Sequence, residues 1–183
     1  QPQHRLRRES DGGGDQGLAL PGRLVTVYIY SFWVAHMNTK SIGELGVART
    51  LSRLLESGYA VSLPFGDNLR YDLVVDDGQR LMRVQCKTGR LDDKGSIAFP
   101  VCSSANHRGL GRRDYRGHID AFSVFCPETD SVYLVPLCAV EHCRREARLR
   151  VDPARNRQVK GTRMAAMFLV GSPADSTPHS ISR

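Results

Sequence analysis

Asp72 stands thirteen residues before Gln85, and Cys86 and Lys87 follow Gln85 directly. Between them, Asp76-Asp77-Gly78-Gln79 reads as a hairpin turn, since an Asp-Gly pair readily adopts the positive φ that a tight reversal needs. Such a turn folds a strand at 71–75 back on a strand at 80–87. Asp72, at the start of the first strand, then meets Gln85 to Lys87 at the end of the second. Side chains alternate along a strand, so Met82, Val84 and Cys86 point one way and Leu81, Arg83, Gln85 and Lys87 the other. A carboxylate and an amide oxygen are hard ligands of the kind Mg²⁺ prefers. A lysine beside them can orient or deprotonate a water molecule near the cation. Together these residues have the chemistry for metal-assisted hydrolysis.

The same residues also suit an exposed strand face, where Gln and Lys are common for solubility. Three neighbours favour the chemical reading. Asp72 borders the apolar run Leu73-Val74-Val75, the loop PFGDNLR ends beside it with Gly66 free to approach a backbone closely, and a preceding helix carries Glu44. Glu44 has a second reading. Ser41-Ile42-Gly43-Glu44 fits an S-x-x-E capping box, in which the glutamate closes the helix start.

The elements that position these residues follow from periodicity. Residues 41–56 read as an amphipathic helix, with Ile42, Leu45, Ala48, Leu51 and Leu55 near one face and Gly58 ending it. Residues 59–63 and 97–101 read as strands. Residues 104–118 form a polar loop rich in Gly and Arg. The apolar runs 121–126 and 132–135 flank Pro127-Glu128-Thr129-Asp130, a second hairpin turn. Residues 137–147 read as a helix, 148–163 as basic and irregular, and 164–170 as a strand or the end of a helix. This order predicts an α/β fold: a mixed central β-sheet flanked by α-helices, in a single domain.

The chain has 183 residues and a net charge of +7, an excess of base that attracts polyanions, nucleic acid first among them. The alternative is a basic solvated surface. Arg108, Arg112, Arg113 and Arg116 lie in the Gly-rich loop with Asn106 and Tyr115. From Arg144 to Arg163 there are eight Lys or Arg residues, Lys160 included, against the acids Glu146 and Asp152. Contacts from such residues to phosphates give salt-dependent, mainly sequence-independent binding. Asn68 and Arg70, in the loop before Asp72, join them as candidate DNA contacts. The five cysteines lack any C-x-x-C spacing, which argues against a zinc ribbon and for reduced thiols in the cytoplasm. Cys86, Cys126 and Cys138 read as core residues. His107, His118 and His142 show no metal-ligand spacing.

Residues 1–37 read as a disordered or non-native extension. The apolar run 24–37 is too short for a membrane span; it suits either a signal-peptide core or an upstream segment, and Met37 is the preferred start of the domain. The domain is expected to occupy 38–170, with a flexible tail at 171–183.

The string GELGVARTLSRLLESGYAVSLPFGDNLRYDLVVDDGQRLMRVQCKTGR resembles the PD-(D/E)XK endonuclease superfamily, and more closely the branch of a group I intron-homing endonuclease and its bacterial relatives. RRDYRGHIDAFSVFCPETDSVYLVP resembles the same branch. Together they cover residues 38–170, with helix, loop, hairpin and CPETD turn in family order. The resemblance implies a restriction-endonuclease-like fold and Mg²⁺-dependent hydrolysis of double-stranded DNA, with Mn²⁺ as a substitute. It implies Asp72 as a metal ligand, Lys87 as the motif lysine, and the Cys86 carbonyl as a further ligand. Glu44 would assist the metal directly or through water. Gln85 stands where most members carry Glu or Asp, although the homing branch also has Gln there. A homodimer or homotetramer is implied, because long target sites exceed the reach of one small domain. A structure-selective, junction-resolvase-like nuclease and a non-catalytic DNA-binding module keeping the fold remain alternatives. RNA cleavage finds less support, since no stacking platform for single strands stands out.

Overall fold

The computed structural model describes residues 37–66, 68–104, 112–152 and 162–171. Helix α1 spans Thr39–Glu56. The Asn38 side chain caps it by accepting a 2.9 Å hydrogen bond from the Ser41 amide. Ser41 is therefore already inside the helix, and the capping box expected at Ser41–Glu44 does not form. At the other end Gly58, with φ of 85°, donates to Leu55 at 3.0 Å, and Tyr59 donates to Leu54 at 3.0 Å. This pair of bonds is a Schellman motif, which the left-handed conformation of glycine permits.

The main sheet has five strands: β1 (Ala60–Ser62), β2 (Leu73–Asp76), β3 (Leu81–Thr88), β8 (Ala121–Cys126) and β9 (Ser131–Pro136), in the order β1-β2-β3-β8-β9. All pairs are antiparallel except β3 and β8, which run parallel with Gln85 opposite Phe122. The expected mixed sheet is thus present. Between β3 and β8 lie β4 (Arg90–Leu91), β5 (Ser96–Pro100), β6 (Cys102–Ser104) and β7 (Arg112–Asp114). A second sheet has the order β10-β5-β4, with β10 at Glu146–Arg150, and β6 pairs with β7 as a separate two-stranded ribbon.

Every residue of β8 is buried, because both faces of the main sheet are covered. On one face α1 packs over Leu73, Val75, Met82, Val84, Ala121, Phe125 and Val132. On the other, Phe122, Val124, Cys126 and Val135 meet Ile97, Phe99, Ala147 and Leu149 from the small sheet. Gly89 sits where β3 passes into β4. A Cβ there would fall 2.6 Å from Ile97 Cγ2 and 2.9 Å from Val124 Cγ1, so glycine is required by the close approach of the two sheets.

Several sequence expectations are corrected. The buried line of α1 is Gly46, Thr50 and Leu54, while Ala48 is exposed and Leu55 is 57% exposed. The small side chains of Gly46 and Thr50 let the helix sit close to the sheet, and the Thr50 and Ser123 hydroxyls bond each other at 2.8 Å within that contact. The helix expected over 137–147 is only one turn, α2 (Leu137–Val140). The chain then enters β10, where Ala147 and Leu149 are buried in strand alternation and pair with Phe99 and Ile97. Arg148 and Arg150 are accordingly strand residues, not part of an irregular segment. The stretch 104–118 expected as a polar loop instead contains β7 (Arg112–Asp114), which pairs with β6, and Tyr115 just after it is buried. Residues 165–168 form a 3₁₀ turn, bordered by single bridges at Met164 and Leu169. Cys126 is buried and Cys86 half-buried, but Cys138 is exposed, since the short α2 leaves it on the outside. The expected second flanking helix is thus replaced by the small sheet.

Candidate active site

The turn at Asp77 to Arg80 sets the register of β2 on β3. Asp76 Oδ1 accepts from the Gly78 amide at 2.8 Å, and Asp77 Oδ1 accepts from Gln79 and Arg80, each at 2.9 Å. Leu73 then pairs with Val84, and the Asp72 amide donates to the Val84 carbonyl at 2.9 Å. This places the Asp72 carboxylate beside the far end of β3. Its Oδ2 accepts from the Cys86 amide at 2.8 Å and from the side-chain amide of Gln85. The sequence-predicted neighbours Asp72, Gln85 and Cys86 are therefore together.

The arrangement around Gln85 bears on metal binding. Its Nε2 donates to Asp72 Oδ2 and lies 3.3 Å from the Cys86 carbonyl oxygen. A positive –NH₂ edge thus stands between two oxygens that a cation would also draw together. Which edge of a carboxamide faces a partner is assigned from the hydrogen-bond network. Turning the group over presents its oxygen, giving one carboxylate, one peptide carbonyl and one amide oxygen. That all-oxygen set fits Mg²⁺ in chemistry and leaves positions for water and substrate. Among the described residues there is no cluster of three His, Cys, Asp or Glu, so any such site has Asp72 as its single carboxylate in this group.

Electrostatics agree with that reading. Burial pushes the Asp72 carboxyl above its ordinary range, against the Cys86 amide, Lys87 and Gln85, which lower it. A half-buried carboxylate held this way gains from a cation. Cys86 is pushed up to about 12 by burial and by Asp72, so its thiol is inert and only its backbone is offered.

Lys87 lies on the same face of β3 as Gln85. Its Nζ donates to the Tyr115 hydroxyl at 2.8 Å and stands 4.8 Å from the centre of that ring. Arg70 Cζ is also 4.8 Å from the ring centre. The Arg70 guanidinium donates to the Asp114 carbonyl at 2.6 Å and, more weakly, toward Ser103 Oγ at 3.4 Å. Reading 104–118 as a polar loop missed Tyr115. The one signal was an aromatic residue in a charged segment, and its burial needs β7 and Phe122 in place, with which it makes an edge contact at 5.4 Å.

Glu44 is exposed on the first half of α1 and pairs with Lys40 at 3.8 Å. Among the described residues it makes no bond to Asp72, Gln85 or Lys87. The structure does not bring it into the same hydrogen-bonded group. Asn68 and Arg113 are exposed. Arg116 is exposed and bound to Asp114, with Nε 2.9 Å from Oδ2. Arg112 belongs to β7, and Arg108 and Lys160 lie outside the described residues.

The chain is similar to the solved structure of a bacterial homing endonuclease, I-Ssp6803I. The identity is 26% and the TM-score 0.60, covering 73% of this chain and 89% of that one. A comparison with curated proteins found no match. The family model described as PD-(D/E)XK endonuclease matches residues 37–170, which contain the mixed sheet, the hairpin and the Asp72–Lys87 group, and the chain belongs to that family.

Proposed function

We propose that this nuclease is a Mg²⁺-dependent endonuclease that hydrolyses phosphodiester bonds of double-stranded DNA, of the homing kind. The observation that carries the reading is the pairing of Asp72 Oδ2 and the Cys86 carbonyl across the Gln85 amide, on the strand face that also holds Lys87. Similarity to a bacterial homing endonuclease supports the homing assignment.

In this reading Asp72, the Cys86 carbonyl and the Gln85 amide oxygen would hold Mg²⁺, with Mn²⁺ able to replace it. Held there, the cation would supply Lewis-acid charge to the scissile phosphate. Asp72 is ionised when it serves as a ligand, because the opposite charge offsets the penalty that burial places on its carboxylate. Lys87 donates from Nζ to orient the attacking water in line with the scissile bond. Glu44 acts at the periphery, through water. DNA phosphates are taken by Asn68, Arg113, Arg112, Arg116, Arg108 and Lys160, with Arg70 contributing charge from behind Tyr115.

The functional unit is residues 38–170, with 1–37 as an extension and 171–183 as a tail. It works as a homodimer or homotetramer in the cytoplasm. Five free thiols support a reducing compartment. No helix among the described residues is long and apolar enough to cross a membrane.

The test is cleavage of supercoiled, linear and branched DNA with Mg²⁺, comparing the wild type with Asp72→Ala and Lys87→Ala. The reading requires both variants to lose cleavage while retaining DNA binding. Cleavage unaffected by both substitutions refutes the site. A preference for branched over linear DNA refutes the homing reading in favour of a structure-selective enzyme.

A further inference from the structure

Tyr115 is 5% exposed, yet its hydroxyl carries the one side-chain bond that Lys87 makes among the described residues. An ammonium has only donors, so this hydroxyl must accept. Its own proton has no acceptor among the described residues. The ring is held from two sides, and one of its neighbours is itself anchored. Phe122 meets it edge-on at 5.4 Å, Arg70 lies over it at 4.8 Å, and Arg70 is itself tied to the β7 backbone by a 2.6 Å bond to the Asp114 carbonyl. Arg70 Nε is buried without a partner among the described residues, so the packing around the ring fixes that guanidinium even with a donor unmet. A lysine on a four-carbon stem has rotamer freedom that must be removed for its ammonium to stay at one point. A hydroxyl fixed in this way removes it.

We propose that Tyr115 is a positioning residue for this nuclease: its buried hydroxyl pins the Lys87 ammonium where Lys87 acts, and Arg70 braces the ring that carries it. The inference rests on the reading of Lys87 as the residue that orients the attacking water. It also gives the segment around β7 a task beyond DNA contact, since it sets the far side of the active site.

The test is Tyr115→Phe, which keeps the ring, its packing and its cation–π contacts and removes only the hydroxyl. Steady-state cleavage is expected to show kcat lowered by about 10- to 100-fold, the range for losing a hydrogen bond to a charged group, with KM unchanged and the fold kept, Tm falling by no more than about 12 °C. In a Lys87→Ala background, Tyr115→Phe is expected to change the residual rate no further, because the two act as a unit. Without metal or DNA, the ¹⁵N ammonium NMR signal of Lys87 is expected in the wild type, where the bond slows proton exchange, and absent in Tyr115→Phe. A wild-type kcat in Tyr115→Phe, with Lys87→Ala inactive, overturns the positioning role alone. An equal loss in both backgrounds also overturns it. Wild-type cleavage by Lys87→Ala overturns the lysine reading itself, and the role of Tyr115 with it.

Discussion

Replacing Asp72 separates the two parts it plays, that of an acceptor and that of a half-buried charge. Asp72→Ala removes the acceptor of the Cys86 amide, a backbone donor that is left half-buried. Leaving such a donor unmet costs about 1–3 kcal/mol. Asp72→Asn keeps an acceptor oxygen at the same place and removes the charge. The difference between the two variants is therefore about 1–3 kcal/mol in favour of Asn, or roughly 4–12 °C in Tm for a domain of this size. The charge itself follows the sign of its shift. Burial raises the Asp72 carboxyl, so folding disfavours its ionised form. That penalty is complete above the raised value and disappears as pH falls toward the ordinary range near 4. In EDTA at neutral pH, Asp72→Asn is therefore expected to be as stable as the wild type or more so, with the gap closing on acidification. On the proposed metal site, added Mg²⁺ is expected to reverse the order. The wild type gains about 1.4 kcal/mol at a tenfold excess over its Kd, and neither variant responds. Thermal melts with and without Mg²⁺ between pH 4 and 8 decide the matter. If Asp72→Asn in EDTA is as unstable at neutral pH as Asp72→Ala, or if both variants still respond to Mg²⁺, the account of Asp72 as a half-buried charge that a cation offsets is wrong.

The helix start gives a second prediction. Asn38→Ala should cost about 1 kcal/mol by removing the cap, whereas Glu44→Gln should leave stability within about 0.5 kcal/mol and lower cleavage only. An equal loss of Tm in both would restore the capping reading of Glu44. Thr50→Val should destabilise by about 1–3 kcal/mol, because Ser123 is fully buried and loses its partner, and adding Ser123→Ala should recover most of that loss in urea titrations. Gly89→Ala should cost about 1–3 kcal/mol through contact with Ile97 and Val124, and Ile97→Val should relieve part of it. Duplex binding under Ca²⁺ should fall steeply between 50 and 200 mM salt, and Arg113→Ala should reduce the slope by about one unit.

How far the sequence could be read varies with the range of the forces involved. Asp72, Gln85, Cys86 and Lys87 were legible because one local turn joins their strands, and a hairpin register is set by residues within the hairpin. Helix α1 was legible in extent, but not in its buried face. Ala48 and Leu55 fit the apolar spacing as well as Gly46 and Thr50 do, and only the approach of β8 selects the small residues. The cap showed the same limit: Ser41 and Asn38 are both good cap residues, and the entry of the chain into the helix chose Asn38.

The region after β3 needed tertiary structure. Residues 137–147 carry enough apolar positions to fit either period, and pairing with β5 turned 146–150 into a strand. Tyr115 looks like a loop residue in any local window, since it is packed by Phe122 from the following strand β8 and by Arg70, which is distant along the chain. What the sequence determined by itself was therefore a local unit, Asp72 to Lys87, which carries the groups proposed for the hydrolytic site. The tertiary structure decided what surrounds it. It set Glu44 apart from the hydrogen-bonded group, it drew Tyr115 onto Lys87, and it covered one face of the sheet with strands where a helix was expected. Those outcomes depend on non-local contacts whose energies no single stretch of chain contains.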